Sequence, residues 1–243
     1  MKVIHLNETI STNQWLRDYG GNEDMTVWAD YQMAGRGCGT NSWESERGQN
    51  LLFSLLLHPK GVPAASQFIL SMANALALRD ALAEQIDDVT IKWPNDIYWH
   101  DQKICGTLIE TTLRSSGIAT CIIGTGINVN QQQFLSDAPN PVSLRQILGH
   151  DTDREELLHR VLSHIVRKMD EVELGAWEPI RAHYRQHLYR RGETHDYLID
   201  GKREKCELTG VTDDGHLQLL LLSGQGKEDR LLSFAFKEVQ FIL

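Results

Sequence analysis

The chain has 243 residues, 41 % hydrophobic and 23 % charged with 6 prolines, a composition of folded globular proteins rather than disordered or fibrous ones. Lys+Arg 24 against Asp+Glu 33 gives a formal net charge of -9, a field that repels polyanions, so nucleic acid is not an expected partner. The longest apolar runs, at 51–57 and 217–222, fall far short of the roughly 20 residues that cross a bilayer, and no membrane span is expected.

In chain order, VIHLNE reads as a strand and STNQWLRDY as a short helix that stops at Gly20 and Gly21. Ser11 and Gln14 have capping-box spacing, and a residue at a helix N-terminus can also meet a ligand through the free N–H groups there. TVWAD at 26–30, the glycine-rich loop at 35–39 and the strand NLLFSLLL follow. Beyond Pro63, Ile69, Met72, Ala73, Leu76, Leu82 and Ile86 recur near helical spacing and are predicted core. From 90 to 130 the pattern is that of an antiparallel meander, with tight turns at Pro94-Asn95 and Asp101-Gln102. A second helix is predicted from Thr152, capped by Thr152 with Glu155, its apolar face made by Leu157, Leu158, Val161, Leu162, Ile165, Val166 and Met169. A third is predicted over 179–190. After Gly192, short alternating strands with turns at Asp200-Gly201, Asp213-Asp214-Gly215 and Ser223-Gly224 read as a small β-barrel. The expected fold is α/β: a mixed, mainly antiparallel sheet with helices on one face in a domain over 1–190, and a small barrel domain over 191–243.

The common nucleotide motifs are absent: GRGCGT is not G-x-G-x-x-G, GTGINV lacks the third glycine, and no P-loop occurs. His183 and His187 share a helix face, but no Glu follows the first and no third ligand is evident, so no protein metal site is expected. Cys38, Cys105, Cys121 and Cys206 are widely spaced without a C-x-x-C pair, and no signal segment opens the chain, which points to a reducing cytoplasm.

Three segments carry chemistry: 29–43, 91–110 and 122–130. Glycines 35, 37 and 39 let backbone approach a ligand closely, with Arg36 among them as a bidentate cation for carboxylate or phosphate. Lys92 ends a strand, Pro94-Asn95-Asp96 turns, and Lys103 begins the next strand, so a hairpin can present two ammonium groups and a carboxylate together.

These segments resemble the signature blocks of the biotin protein ligases. The match runs in order through Ser11-Thr12-Asn13, Gln32, Gly35-Arg36-Gly37, Trp43, Lys92-Trp93-Pro94-Asn95-Asp96, Lys103, Gly106, Gly124, Gly126 and Asn128. It covers residues 1–130 strongly, and the C-terminal segment agrees in size and position. The resemblance implies a class II aminoacyl-tRNA synthetase-like fold with a Src-homology-3-like C-terminal barrel, and a two-step reaction. Biotin's carboxylate attacks the α-phosphate of ATP, with Mg2+ arriving on the nucleotide, and a lysine of a biotin carboxyl carrier protein then displaces AMP. Two anions meet in the first step, so positioned cations are the chief requirement; Arg36, Lys92 and Lys103 meet it.

By the same resemblance Ser11, Thr12 and Gln32 hydrogen-bond the biotin head. Arg36 and Lys103 hold carboxylate and α-phosphate, and Gly106 and Gly126 leave room against the sheet. Asn95, Asn128 and Trp43 face the adenine nucleotide, and Asp96 orients the incoming lysine or takes its proton. The chain departs from the family at Gly37-Cys38-Gly39-Thr40-Asn41, where the usual G-R-G-R-x-G-R has two further basic residues. Only ten residues precede Ser11, leaving no room for the helix-turn-helix of the regulatory members, and the expectation is a stand-alone ligase. A lipoate or octanoate ligase of the same fold and a non-catalytic biotin-binding module are the competing readings. The oligomeric state stays open, a homodimer among the options.

Overall fold

The computed structural model describes residues 1–39, 41–115, 117–135, 140–222 and 228–243. The first 127 residues supply a seven-stranded sheet. Its strands are β1 (Lys2–Leu6), β2 (Met25–Ala29), β3 (Leu51–Leu57), β4 (Val89–Lys92), β5 (Asp96–Trp99), β6 (Gln102–Arg114) and β7 (Gly117–Ile127). They lie in the order β1-β2-β3-β7-β6-β5-β4, with β1 and β2 parallel and every other neighbour antiparallel. The long hairpin β6–β7 is the centre, and its register sets Gly106 opposite Gly126. The short hairpin β4–β5 sets Lys92 opposite Asp96 across the Trp93-Pro94-Asn95 turn.

Strand β3 shows why both faces of this sheet are covered. Its seven residues are all buried, and successive side chains alternate between faces. Leu51, Phe53, Leu55 and Leu57 join the main core, while Leu56 packs with Leu16, Met25, Val27 and Ile122 on the other side. Helix α2 (Phe68–Ala83), mostly apolar and mostly buried, covers the first face against β4 and β5 and is itself covered by α4 (Arg154–Glu173) and α5 (Trp177–Gln186). The short α1 (Thr12–Tyr19) lies on the opposite face against β2, β3 and β7, and its cap Gly20 has φ 58, as a left-handed helix stop requires. So three helices pack on one face as expected, and α1 stands apart because its residues bring the Ser-Thr-Asn block over Ser54 and Gly124 of the sheet. Helix α3 (Leu144–Leu148) is started by a full capping box of Ser143 and Gln146.

Several local expectations change. Ser11 has extended backbone (φ -158) and caps nothing with its hydroxyl, so the Ser11–Gln14 box does not form. Helix α4 is capped by Asp153 rather than Thr152: the carboxylate accepts from both Glu155 N (2.8 Å) and Glu156 N (2.9 Å), whereas the backbone of Thr152 is engaged with the Asn130 side chain. Val166 lies off the buried face of α4, 40 % exposed. Helix α5 runs from Trp177 and ends at Gln186, short of Arg190, because the chain at 187–189 pairs with β4: Ile91 N donates to His187 O (2.8 Å) and Tyr189 N to Ile91 O (2.9 Å).

The C-terminal strands β8 (Thr194–Ile199), β9 (Lys202–Val211), β10 (Leu217–Leu221), β11 (Arg230–Phe234) and β12 (Val239–Phe241) form a five-stranded antiparallel sheet in the order β11-β10-β9-β8-β12. It is open among the described residues, β11 and β12 being its edges, and not a closed barrel. The Asp200-Gly201 turn is present with φ 48 and 74, the doubly positive turn that suits a tight hairpin. Gly215 of the next turn abuts the Phe68 ring and accepts a hydrogen bond from Trp93 Nε1 (2.9 Å). The Ser223-Gly224 turn lies outside the described residues. The apolar side of this sheet (Tyr197, Cys206, Leu208, Leu217, Leu219, Val239) is continuous with the main core.

Candidate active site

A cavity of about 710 Å³ opens on the α1 face of the large sheet. Every residue of the matched signature blocks lines it except Gly35, and Gly39 does not line it either. The cavity is a head, a floor, a charged wall and a covering hairpin.

The head is polar. Gln32 Oε1 accepts from Thr12 N (2.7 Å) and from Thr12 Oγ1 (3.0 Å), and Ser54 Oγ lies 2.6 Å from both Thr12 Oγ1 and Asn13 Oδ1. Asn13 donates to Glu110 Oε2 (2.8 Å), whose other oxygen receives Arg17 (2.7 Å). Ser11, Thr12 and Asn13 are buried, so these bonds hold hydroxyls and amides in fixed directions where water is scarce. Gln32, its carbonyl committed to Thr12, keeps its amide nitrogen as a donor.

The floor is the pair Gly106 and Gly126. A Cβ on Gly106 would stand 2.7 Å from Trp43 Cζ3, and one on Gly126 would collide with the same indole, so these glycines leave a flat strand surface on which a ring lies directly. In this structure the ring is Trp43, whose Nε1 is buried without a partner among the described residues. Gly124 is explained differently: the space above it holds the Asn13 amide rather than open cavity.

The charged wall comes from the β4–β5 hairpin and the start of β6. Lys103 Nζ pairs with Asp96 Oδ2 at 2.7 Å and lies 5.7 Å from the Trp43 ring centroid. Lys92 is held over the rings of Tyr98 (5.2 Å) and Phe241 (4.8 Å). Burial pulls its pKa below the ordinary lysine range, Asp96 opposes that, and Lys103 and Arg190 add to it. Burial is also the main cause of the raised pKa of the Tyr98 hydroxyl, so that group stays neutral beside the two lysines. Asn95 sits at the hairpin turn and lines the cavity. Asn128 does too, but its amide is engaged with the main chain, donating to Val142 O (3.1 Å) and Lys103 O (3.4 Å). It ties the end of β7 to the strand that carries Lys103.

The covering hairpin is residues 35–43. Gly37 N donates to Asn41 O (2.8 Å) and Trp43 N to Gly35 O (3.0 Å), with Arg36 bridged to Ser42. Arg36 and Cys38 are exposed on it and reach the cavity rim. Gly35 packs instead beneath Trp43, its missing side chain giving room to the Trp43 carbonyl. Thr40 lies outside the described residues.

Sequence reasoning missed several contributors. Ser54 is a single polar residue in an apolar strand, and its position opposite Gly124 was its one clue. A buried network also escaped notice: Asn50 Nδ2 donates to Gln131 Oε1 (2.6 Å), and Asn50 Oδ1 accepts from Val129 N (3.0 Å), fixing the chain that leaves β7. Phe236 reaches the cavity from the C-terminal sheet, edge-on to Trp93 at 6.0 Å. His183 and His187 lie 4.5 Å apart, edge to face, away from this cavity, and no group of three or more His, Cys, Asp or Glu set to hold a metal occurs among the described residues.

The cavity thus combines a polar head, a ring-sized glycine floor and clustered cations, a lining suited to a ligand with a flat polar ring and an anionic group. The chain matches the biotin/lipoate A/B protein ligase family over residues 4–128 and is a member of it. It is 33 % identical over 224 residues to a biotin–acetyl-CoA-carboxylase ligase of Paracoccus denitrificans, covering 88 % of this chain and 92 % of that protein. It is 32 % identical over 182 residues to the bifunctional ligase/repressor BirA of Bacillus subtilis. The chain spans about half the length of the bifunctional ligase/repressors it matches, 55 % of the Bacillus subtilis protein and 48 % of that of Salmonella typhimurium. Among solved structures, biotin protein ligase from Aquifex aeolicus in complex with biotin and ATP superposes with a TM-score of 0.81 at 26 % identity, covering 99 % of each chain. No helix among the described residues is long and apolar enough to cross a membrane.

Proposed function

We propose that this protein activates biotin with ATP as biotinyl-5′-AMP and transfers the biotinyl group to one lysine of a biotin carboxyl carrier protein. The observation that carries the proposal is the layout of one cavity. A fixed polar head at Thr12, Gln32 and Ser54 lies at one end, and the Lys103–Asp96 pair stands beside a glycine floor at the other.

A carboxylate oxygen of biotin attacks the α-phosphorus of ATP; the α–β anhydride bond breaks and pyrophosphate leaves. Lys103 and Arg36 lower the repulsion between the two anions, and Lys92 adds a third cation from behind Tyr98. The amine of the carrier lysine then attacks the acyl carbon. A C–N bond forms, the mixed-anhydride C–O bond breaks, AMP departs and the proton lost by the nitrogen passes to water. Asp96, already bonded to Lys103, orients that amine. Ser11, Thr12 and Gln32 read the ureido ring. Mg2+ would arrive on the ATP phosphates. Trp43 now covers the Gly106–Gly126 floor, so biotin entry requires its ring to lift, after which it is free to stack on adenine. The nucleotide side is completed by Asn95 at the hairpin turn, with Asn128 as a support for the Lys103 strand. We place the division between catalytic and C-terminal domains at 190/191 and the enzyme in the cytoplasm.

A head built for hydrogen bonding discriminates strongly against a ligand that leaves it unpaired, by as much as about 10⁴-fold. Lipoate, whose dithiolane makes no such bonds, should therefore be rejected. ATP–pyrophosphate exchange tests this: exchange is expected with biotin and not with lipoate. Exchange with lipoate alone would make the protein a lipoate ligase, and no exchange with either would leave a binding module.

A further inference from the structure

The hairpin at 35–43 carries one cation, Arg36, where the family pattern has three, and Cys38, which also lines the cavity, stands where that pattern has the next arginine. The C-terminal sheet brings a replacement to the same place. Between β11 and β12 the chain turns at 235–238, closed by Glu238 N donating to Ala235 O (3.1 Å), with the Glu238 carboxylate accepting from Ala235 N (2.7 Å). Phe236 of this turn lines the cavity, and Lys237 follows it. The Lys237 ammonium is packed against Gly39, so closely that a Cβ on Gly39 would meet it. Gly39 has φ +71, so the hairpin turns there in a conformation suited to glycine, which also clears the ammonium's place.

Two further observations bear on Lys237. It adopts φ 76 at the third position of its turn, where glycine or asparagine is the ordinary occupant, so a large side chain is retained at a position that disfavours one. It is exposed and makes no ion pair among the described residues, so its charge is available to a ligand.

We infer that Lys237 supplies, from the C-terminal sheet, the positive charge over the nucleotide end of the cavity that the hairpin lacks at Cys38. In this role it is a positioning residue for ATP and for the bound adenylate: its ammonium packs on Gly39, the residue next in sequence to Cys38 of the cavity lining, while its stem lies along a separate cleft beside Ser233 and Gln240. The inference rests on the ligase reading above and explains why the C-terminal sheet abuts the hairpin.

The test uses the full chain and has three variants: Lys237→Met, Lys237→Arg and the double variant Lys237→Met/Cys38→Arg. Biotin-dependent pyrophosphate exchange gives KM for ATP and kcat, and single-turnover chase gives the rate of adenylate release. Lys237→Met is expected to raise KM for ATP and speed adenylate release by about ten- to a hundredfold, the effect of one charge-assisted contact, while biotin affinity stays unchanged. Lys237→Arg is expected to behave as wild type, and arginine at 38 is expected to restore the Met variant. Unchanged KM and release in Lys237→Met would overturn the inference, as would a defect confined to KM for the carrier protein, or a Met variant that arginine at 38 does not rescue. Wild-type chain without any exchange would instead overturn the ligase reading.

Discussion

The two halves of the cavity are built in opposite ways. The half on strands has its chemistry locked by sheet register: Lys92 is paired with Asp96, Gly106 with Gly126, and Lys103 lies two residues before Cys105, itself fully buried. The half on the 35–43 hairpin is held by a few backbone bonds and by contact with Lys237, and it leaves Arg36 and Cys38 exposed. A reaction between two anions needs its cations fixed before the substrates arrive, because preorganised charge costs nothing to reorganise during the chemical step. On the proposed reading the site must also admit biotin and ATP, and that needs a wall that moves. Strand-borne residues should therefore govern rate, and hairpin residues should govern entry and retention.

The largest test of that division is Lys103→Ala. Removing the cation between the two anions should lower adenylate formation by on the order of 10² to 10³, with a thermal unfolding midpoint close to wild type. Near-normal exchange would remove Lys103 from the chemistry. Next, Gly126→Val places a branched side chain where a ring must lie. Overpacking of this kind costs about 1–3 kcal/mol, so biotin affinity measured by calorimetry should fall roughly ten- to a hundredfold. Unchanged affinity would mean that the floor is not the ligand's seat.

On the hairpin side, Cys38→Arg alone should slow adenylate release by about tenfold, the lower end for one charge-assisted hydrogen bond, since Lys237 already supplies charge nearby. It should leave the rate of adenylate formation almost untouched. A change in formation rate instead of release would erase the proposed distinction between the halves.

The sequence disclosed the strand half because its elements are local. K-W-P-N-D is one hairpin, and Lys92 and Asp96 face each other across its turn. Partners brought together over long separations were hidden. Ser54 meets Thr12 across 42 positions, Glu110 meets Asn13 across 97, and Phe241 and Lys237 return from the far end of the chain to Lys92 and Gly39. The caps failed for a different reason: Thr152 and Asp153 are adjacent candidates, and only the geometry shows that the Asp carboxylate reaches two amides. The end of α5 was misread because the pull that stops it, pairing of 187–189 with β4, is tertiary.

The smallest effect concerns stability. Lys92 has its pKa lowered in the fold, chiefly by burial, so its protonated form penalises the folded state. The unfolded chain binds more protons at this group between the folded pKa and the ordinary 10.5. The penalty is thus fully present below the folded value and is relieved as pH rises through that window. Lys92→Met should be more stable than wild type to urea at pH 7, with a difference that narrows toward pH 10, and should be slower in exchange. A Met variant that is less stable at neutral pH would show that the Asp96 attraction outweighs desolvation.

The most direct measurement of the central claim is group transfer itself. The full chain is incubated with labelled biotin, Mg-ATP and a biotin carboxyl carrier fragment, and the product is mapped by mass spectrometry. The expected result is one biotinyl group on one lysine of the fragment, AMP released in equal amount, and no label from lipoate. Carrier left unlabelled despite bound biotin, or labelled with lipoate in its place, would contradict it.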